Sequence, residues 1–148
     1  MKIVNLISLA GAGGILAHGC FDVLHVGHVR YLRQAAQFGP LIVTVTADAF
    51  VNKGPRRPYH NHDDRVEMLA ALECVSAVAI NHAPAELPVI EIIRPRLYCK
   101  GTEYVAGNPV LDEARALLES YGGRLIFIDD GGKRYSSTAI IAELRGGV

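Results

Sequence analysis

Five short apolar runs recur along this chain, each followed by a stretch of helical character, and that alternation leaves few folds open. The runs are 15–18, 41–46, 75–80, 97–100 and 125–128. The second, Leu41-Ile42-Val43-Thr44-Val45-Thr46, is rich in β-branched residues and reads as a buried strand. Helical patterns fill about 26–38, 63–72, 84–93 and 110–121, with a short last one at 136–144. Gly39-Pro40, Arg94-Pro95 and Gly122-Gly123 stop three of them. Strands that are apolar throughout belong in a parallel sheet covered on both faces. The expectation is an α/β, doubly wound, five-stranded parallel sheet with helices on both faces. Ligands of such sheets bind beyond the carboxyl ends of the strands, at the topological switch point.

The chain of 148 residues fits a single domain at 15–148, preceded by a lead-in at 1–14. Residues 10–14 read as a small flexible joint. Gly11, Gly13 and Gly14 do not form a dinucleotide fingerprint, because they precede the first strand instead of following it. The start of the chain loosely imitates an export signal, but its apolar stretch is short and broken by Asn5 and Ser8. Three scattered cysteines, Cys20, Cys74 and Cys99, make no disulfide framework or metal spacing. A cytoplasmic protein is expected. A formal net charge of +0 without a basic block argues against nucleic-acid binding, and no run is long enough to span a membrane.

The densest chemistry lies at the exit of the first strand, in Gly19-Cys20-Phe21-Asp22-Val23-Leu24-His25-Val26-Gly27-His28. His25 and His28 are one helical turn apart at the start of a helix. A helix N-terminus offers unpaired N–H groups and a positive dipole end, and so attracts phosphate. Gly27 allows close approach of backbone and ligand. Asp22 can orient a loop by accepting backbone N–H groups, or help organise an Mg²⁺-bound triphosphate. Phe21 reads as core and His18 as a strand-end histidine within reach of phosphate. Lys53, Arg56 and Arg57 lie on a Gly- and Pro-shaped loop after the second strand, where three cations can meet an anion. Arg65 opens a helix and by position alone is a surface arginine. In Lys100-Gly101-Thr102-Glu103-Tyr104, an acid and an aromatic ring beside backbone amides suit a nucleobase. Ser136, Ser137 and Thr138 are ordinary capping residues that can also cradle phosphate.

His25-Val26-Gly27-His28, with Gly-x-Phe-Asp upstream, resembles the HxGH signature of the cytidylyltransferase-like nucleotidyltransferases. The Lys-Gly-x-Glu-Tyr run is similar to the Lys-Gly-x-Asp-Tyr of heptose-1-phosphate adenylyltransferases, with Glu103 in place of aspartate. The resemblance spans about 15–141 and implies a Rossmann-like fold. It implies transfer of AMP or CMP from ATP or CTP, with Mg²⁺ bound through the NTP, to a small phosphorylated acceptor such as a sugar phosphate. It implies catalytic roles for His25, His28 and Lys53. Gly19, Phe21, Asp22, Gly27, Lys100, Gly101, Glu103, Tyr104, Ser136, Ser137 and Thr138 would bind nucleotide. His18, Arg57 and Arg65 would bind the acceptor. It also implies a homodimer paired near the first helix. Two other readings stay open: a cytidylyltransferase for a glycerol-phosphate-like or phosphonate acceptor, and a non-catalytic nucleotide-binding or regulatory subunit partnering a sugar kinase.

Overall fold

The computed structural model describes residues 1–102, 108–129 and 136–146. Five strands, β1 (Ile15–Gly19), β2 (Leu41–Thr46), β3 (Ala77–Asn81), β4 (Leu97–Gly101) and β5 (Arg124–Ile128), form one parallel sheet in the order β3-β2-β1-β4-β5. Five α-helices connect or follow them: α1 (Val26–Ala36), α2 (His62–Ala70), α3 (Leu87–Ile93), α4 (Pro109–Ser120) and α5 (Ser137–Leu144). The strand order reverses at β1, so the switch point lies between β1 and β4.

Alternation along each strand sorts the core into two layers. Ile15, Ala17, Val43, Val45 and Cys99 pack with Tyr31, Leu32 and Ala35 of α1 and with Val66 and Leu69 of α2. Leu16, Ile42 and Tyr98 point the other way, onto Val89, Ile90 and Ile93 of α3 and Ala114 and Leu118 of α4. Each such aliphatic side chain contributes about 1.5–3 kcal/mol when fully buried. The buried Tyr31 hydroxyl donates to the Cys99 carbonyl (2.6 Å) and fixes α1 against β4.

Two element starts depart from the sequence expectation by more than one residue. The third strand starts at Ala77, because Val75 is spent as a core residue of the preceding turn. The third helix starts at Leu87, because Asn81 holds the intervening loop: its Oδ1 accepts from the Ala83 N–H (3.0 Å) and its Nδ2 donates to the Ala85 carbonyl (2.9 Å).

The lead-in is packed onto the sheet and α3. Val78 exchanges backbone hydrogen bonds with Lys2 and Val4, and a 3₁₀ turn at Leu6–Leu9 sets Leu6 and Leu9 on the α3 layer. The expected joint at 10–14 is tied to the end of α3 through Gly11 N–H to Ile92 (2.8 Å) and Gly13 N–H to Ile93 (2.9 Å). Gly14 has φ +71°, and a Cβ there would come within 3.0 Å of the Pro40 carbonyl, so glycine is required. No helix among the described residues is long and apolar enough to cross a membrane.

Candidate active site

The carboxyl ends of β1 and β4 open onto the N-termini of α1 and α5. His25 is the N-cap of α1, in extended conformation. Its Nδ1 accepts the His28 N–H, and His28 Nδ1 accepts the His25 N–H, each at 3.4 Å. This is a capping box built from two imidazoles in place of a hydroxyl and a carboxylate. The rings stack with centroids 3.8 Å apart and 19° between planes. Accepting at Nδ1 puts the proton on Nε2, so each imidazole presents an N–H donor at its far edge. Phe21, held at φ 50° and 7 % exposed, braces His28 edge-on at 5.3 Å. Its role is therefore support of the histidine. Gly19 is in close contact with the same ring: a Cβ there would meet it at 3.1 Å, and the ring that braces His28 would have to shift.

Burial, then the neighbouring charges of His25 and Lys53, push the His28 imidazole down to about 3 from its ordinary 6.5. His18 falls to about 4, first through burial and then through the charge of Lys100. Both are neutral in the folded protein at pH 7. The unfolded chain binds protons at these histidines below about pH 6.5, whereas the folded chain resists until about pH 3–4. Stability is therefore expected to fall as pH drops from 7 to 4. Denaturant unfolding at several pH values measures this, and a flat profile that His28→Ala leaves unchanged contradicts it.

Asp22 is 1 % exposed and anchors the loop after β2. Its Oδ2 accepts from Arg57 Nε and from the Tyr59 N–H, both at 2.8 Å, and its Oδ1 from the His60 N–H at 2.9 Å. Burial alone would raise its carboxyl, but these donors outweigh burial and hold it below its usual range. Of the two sequence-level options for Asp22, loop orientation is the one visible here. Arg57 is 4 % exposed; its NH1 donates to Thr138 Oγ1 (3.2 Å). Its NH2 is the one buried side-chain nitrogen or oxygen among the described residues without a hydrogen-bond partner. Lys53 is exposed on the same loop, and its charge reaches both His28 and Cys20.

α5 is capped at its own start and tied to this place by two contacts. Ser136 caps it, accepting from Ala139 N–H at 3.4 Å. The Ser137 hydroxyl donates to the Val23 carbonyl (2.7 Å), and Thr138 meets Arg57. Neither α1 nor α5 carries an acid in its first turn, whereas α2 and α4 do. The positive ends of α1 and α5 are thus left uncompensated, beside a buried guanidinium with a spare donor and a mobile-length lysine side chain. That arrangement favours a polyanion of the triphosphate type.

The remaining expected residues fall elsewhere or outside view. Arg65 is fully buried, not a surface residue: its Nε donates to the His60 carbonyl (3.0 Å), NH1 to the Cys20 carbonyl (2.8 Å) and NH2 to Asp48 Oδ1 (2.7 Å). It joins the β1 exit, the loop after β2 and α2. Lys100 and Gly101 end β4. Lys100 lies on the α3 side of the sheet with His18, paired to Glu86 at 3.2 Å, and not on the α1 side with the histidine pair. Glu103 and Tyr104 lie outside the described residues. Glu86 was not singled out from sequence; its one signal is an acid just before a Pro-bearing helix start.

Residues 16–143 match the family model described as cytidylyltransferase-like, which takes in all of these elements. The chain belongs to the cytidylyltransferase-like family. Among curated relatives, the D-beta-D-heptose 1-phosphate adenylyltransferase of Bordetella bronchiseptica is 42 % identical over 137 residues, covering 90 % of this chain and 82 % of that protein. The bifunctional protein HldE of Geobacter sulfurreducens is 39 % identical over 157 residues, covering 97 % of this chain and 31 % of that protein. The chain thus spans about a third of the length of such bifunctional relatives. The crystal structure of the lipopolysaccharide core biosynthesis protein from Thermoplasma volcanium shares the fold, with TM-score 0.68 and 21 % identity, covering 79 % of this chain and 96 % of that one.

Proposed function

We propose that this nucleotidyltransferase domain moves AMP from ATP onto the phosphate of a sugar phosphate. The observation that carries the reading is the stacked, reciprocally capped His25–His28 pair at the α1 N-terminus. In the reaction an acceptor phosphate oxygen attacks the α-phosphorus, the bond to the β-phosphate bridging oxygen breaks, and pyrophosphate leaves. The nucleophile is already an ionised oxygen at neutral pH, so no strong base is needed. A neutral His28 imidazole with an Nε2–H donor, stacked on His25, suits the charge that grows on the α-phosphate oxygens. Arg57 NH2, Lys53 and the two helix N-termini suit the β- and γ-phosphates. Both oxygens of Asp22 serve the loop, so Mg²⁺ would enter as part of the ATP complex, neutralising phosphate charge. A sugar phosphate as acceptor and ATP as donor follow the name of the Bordetella relative.

The test is pyrophosphate release over a small matrix of ATP and CTP against heptose 1-phosphate, glycerol 3-phosphate and a phosphonate, with Mg²⁺. Release is expected with ATP and the sugar phosphate. Preference for CTP with glycerol 3-phosphate or the phosphonate would transfer the assignment to a cytidylyltransferase. Nucleotide binding with no release in any combination would leave a regulatory subunit. Lys53→Ala is expected to weaken ATP binding about tenfold without unfolding the chain, as loss of one phosphate-facing cation should. Calorimetric titration measures it, and unchanged affinity with unchanged rate returns Lys53 to the role of a solvated loop residue.

We also infer a homodimer paired near α1 and the loop after β2. Val26 and Phe50 are each 40 % exposed on that side, which supports an apolar contact. Sedimentation should give twice the 16.0 kDa chain mass; a monomer at micromolar concentration overturns it.

A further inference from the structure

Across the sheet from the histidine pair, the carboxyl ends of β1, β2 and β4 carry a second polar group. His18, Thr44 and Lys100 occupy strand positions that face α3, each two residues beyond Leu16, Ile42 and Tyr98 of the layer beneath. His18 Nδ1 meets Thr44 Oγ1 at 2.8 Å. Glu86 enters this group from the loop that Asn81 holds. It stands at the N-cap position of α3 yet makes no capping bond with its side chain. The carboxylate turns into the sheet instead, where it is 8 % exposed. The buried Tyr98 hydroxyl donates to its Oε2, and Lys100 Nζ lies 3.2 Å from the same oxygen. Both contacts fall on Oε2, so Oε1 keeps its acceptor capacity.

A carboxylate turned away from its helix end into a desolvated position is costly unless it is paired and hydrogen-bonded, and Lys100 and Tyr98 do both here through one oxygen. In-line displacement gives the remaining oxygen a place in the reaction. With the triphosphate over the α1 and α5 N-termini, the attacking group must come from the side opposite the leaving pyrophosphate. The α3 face of the switch point lies across the sheet from the histidine pair and would offer that side. A carboxylate with one fixed oxygen and one available oxygen is built to accept hydroxyl groups, and a half-buried lysine beside it suits the acceptor's phosphate.

We propose that Glu86 is a specificity-determining residue of the acceptor side, accepting hydroxyl groups of a polyhydroxylated phosphate monoester while Tyr98 and Lys100 hold it in place. The inference rests on the proposed transfer to a sugar phosphate. It separates two reactants by sheet face, and it assigns Lys100 to the acceptor in place of the nucleotide.

The test compares wild type, Glu86→Gln and Glu86→Asp by calorimetry in the presence of a non-hydrolysable ATP analogue. Heptose 1-phosphate is one probe, and methyl phosphate, which has the anion without the hydroxyls, is the other. Glu86→Gln should weaken heptose 1-phosphate about tenfold or more and change methyl phosphate by less than about twofold. Glu86→Asp, which keeps the charge, should restore part of the loss and serves in its own right if the glutamine variant fails to fold. Affinity for the ATP analogue should not move. Equal weakening of both probes, tighter binding of both through an unmasked Lys100, no change in either, or no heptose 1-phosphate binding by the wild type would each overturn the proposal. Pyrophosphate release is scored separately. A wild type that binds heptose 1-phosphate through Glu86 but releases no pyrophosphate defeats the transfer reading and leaves the Glu86 assignment standing.

Discussion

Replacement of His28 by alanine is expected to lower turnover about 10²- to 10³-fold, the usual consequence of removing one preorganised donor to a transition-state oxyanion. The expectation comes from position and protonation together. His28 stands in the first turn of α1, its ring fixed by the stack on His25 and the edge of Phe21. Its pKa near 3 keeps it neutral, so its contribution is an Nε2–H donor and not a fixed charge. The fold should survive, because the ring is partly exposed and the loss to the helix is one capping contact, about 1 kcal/mol. Steady-state kinetics alongside circular dichroism decides the matter: a folded variant with near-wild-type turnover rules His28 out of the chemistry.

Asp22→Ala should produce the largest loss of stability at the site, about 3–5 kcal/mol, the range for stripping a buried charge of its partner. Arg57 would be left in a buried position with Thr138 as its remaining side-chain contact, and the Tyr59 and His60 N–H groups would lose their acceptor. Activity should fall with it, since the same loop carries Lys53. Combining Asp22→Ala with Arg57→Met should recover part of the stability, because the uncompensated charge is then gone. Denaturant unfolding of the four proteins gives the coupling directly, and an additive double variant contradicts the buried-pair account. The carboxyl of Asp22 lies below its unfolded value. Its contribution is therefore complete above about pH 4 and lost as pH falls through the folded value, beneath the window in which the histidines act.

Much of this was legible in the chain because it depends on local pattern. Leu41–Thr46 could only be a buried strand, and its bounds in the structure are those expected. The strand–loop–helix setting of His25 and His28 also follows from sequence, since a glycine, a turn and a helical run suffice to define it. What escaped depends on pairings between distant positions. Arg65 looks like a surface residue by helical spacing, yet it bonds Cys20 and Asp48, 45 and 17 residues away. Lys100 reads as part of a nucleotide run until the strand register sets it on the α3 side with His18 and Glu86. The reciprocal imidazole cap was hidden for another reason: residue identity does not reveal that two side chains will replace the usual hydroxyl and carboxylate of a capping box. The boundary of α3 moved because one side chain, Asn81, organises the loop before it.

The central claim is the transfer of AMP to the phosphate of a sugar phosphate at the His25–His28 pair. Phosphorus-31 NMR of the protein with ATP, Mg²⁺ and heptose 1-phosphate tests it most directly, because the new bond joins two phosphorus atoms through oxygen. The account predicts loss of the acceptor's monoester signal, growth of the paired signals of an unsymmetrical diphosphate diester, and free pyrophosphate in equal amount. Formation of ADP and inorganic phosphate, or bound ATP that persists unchanged beside an intact monoester, would contradict it.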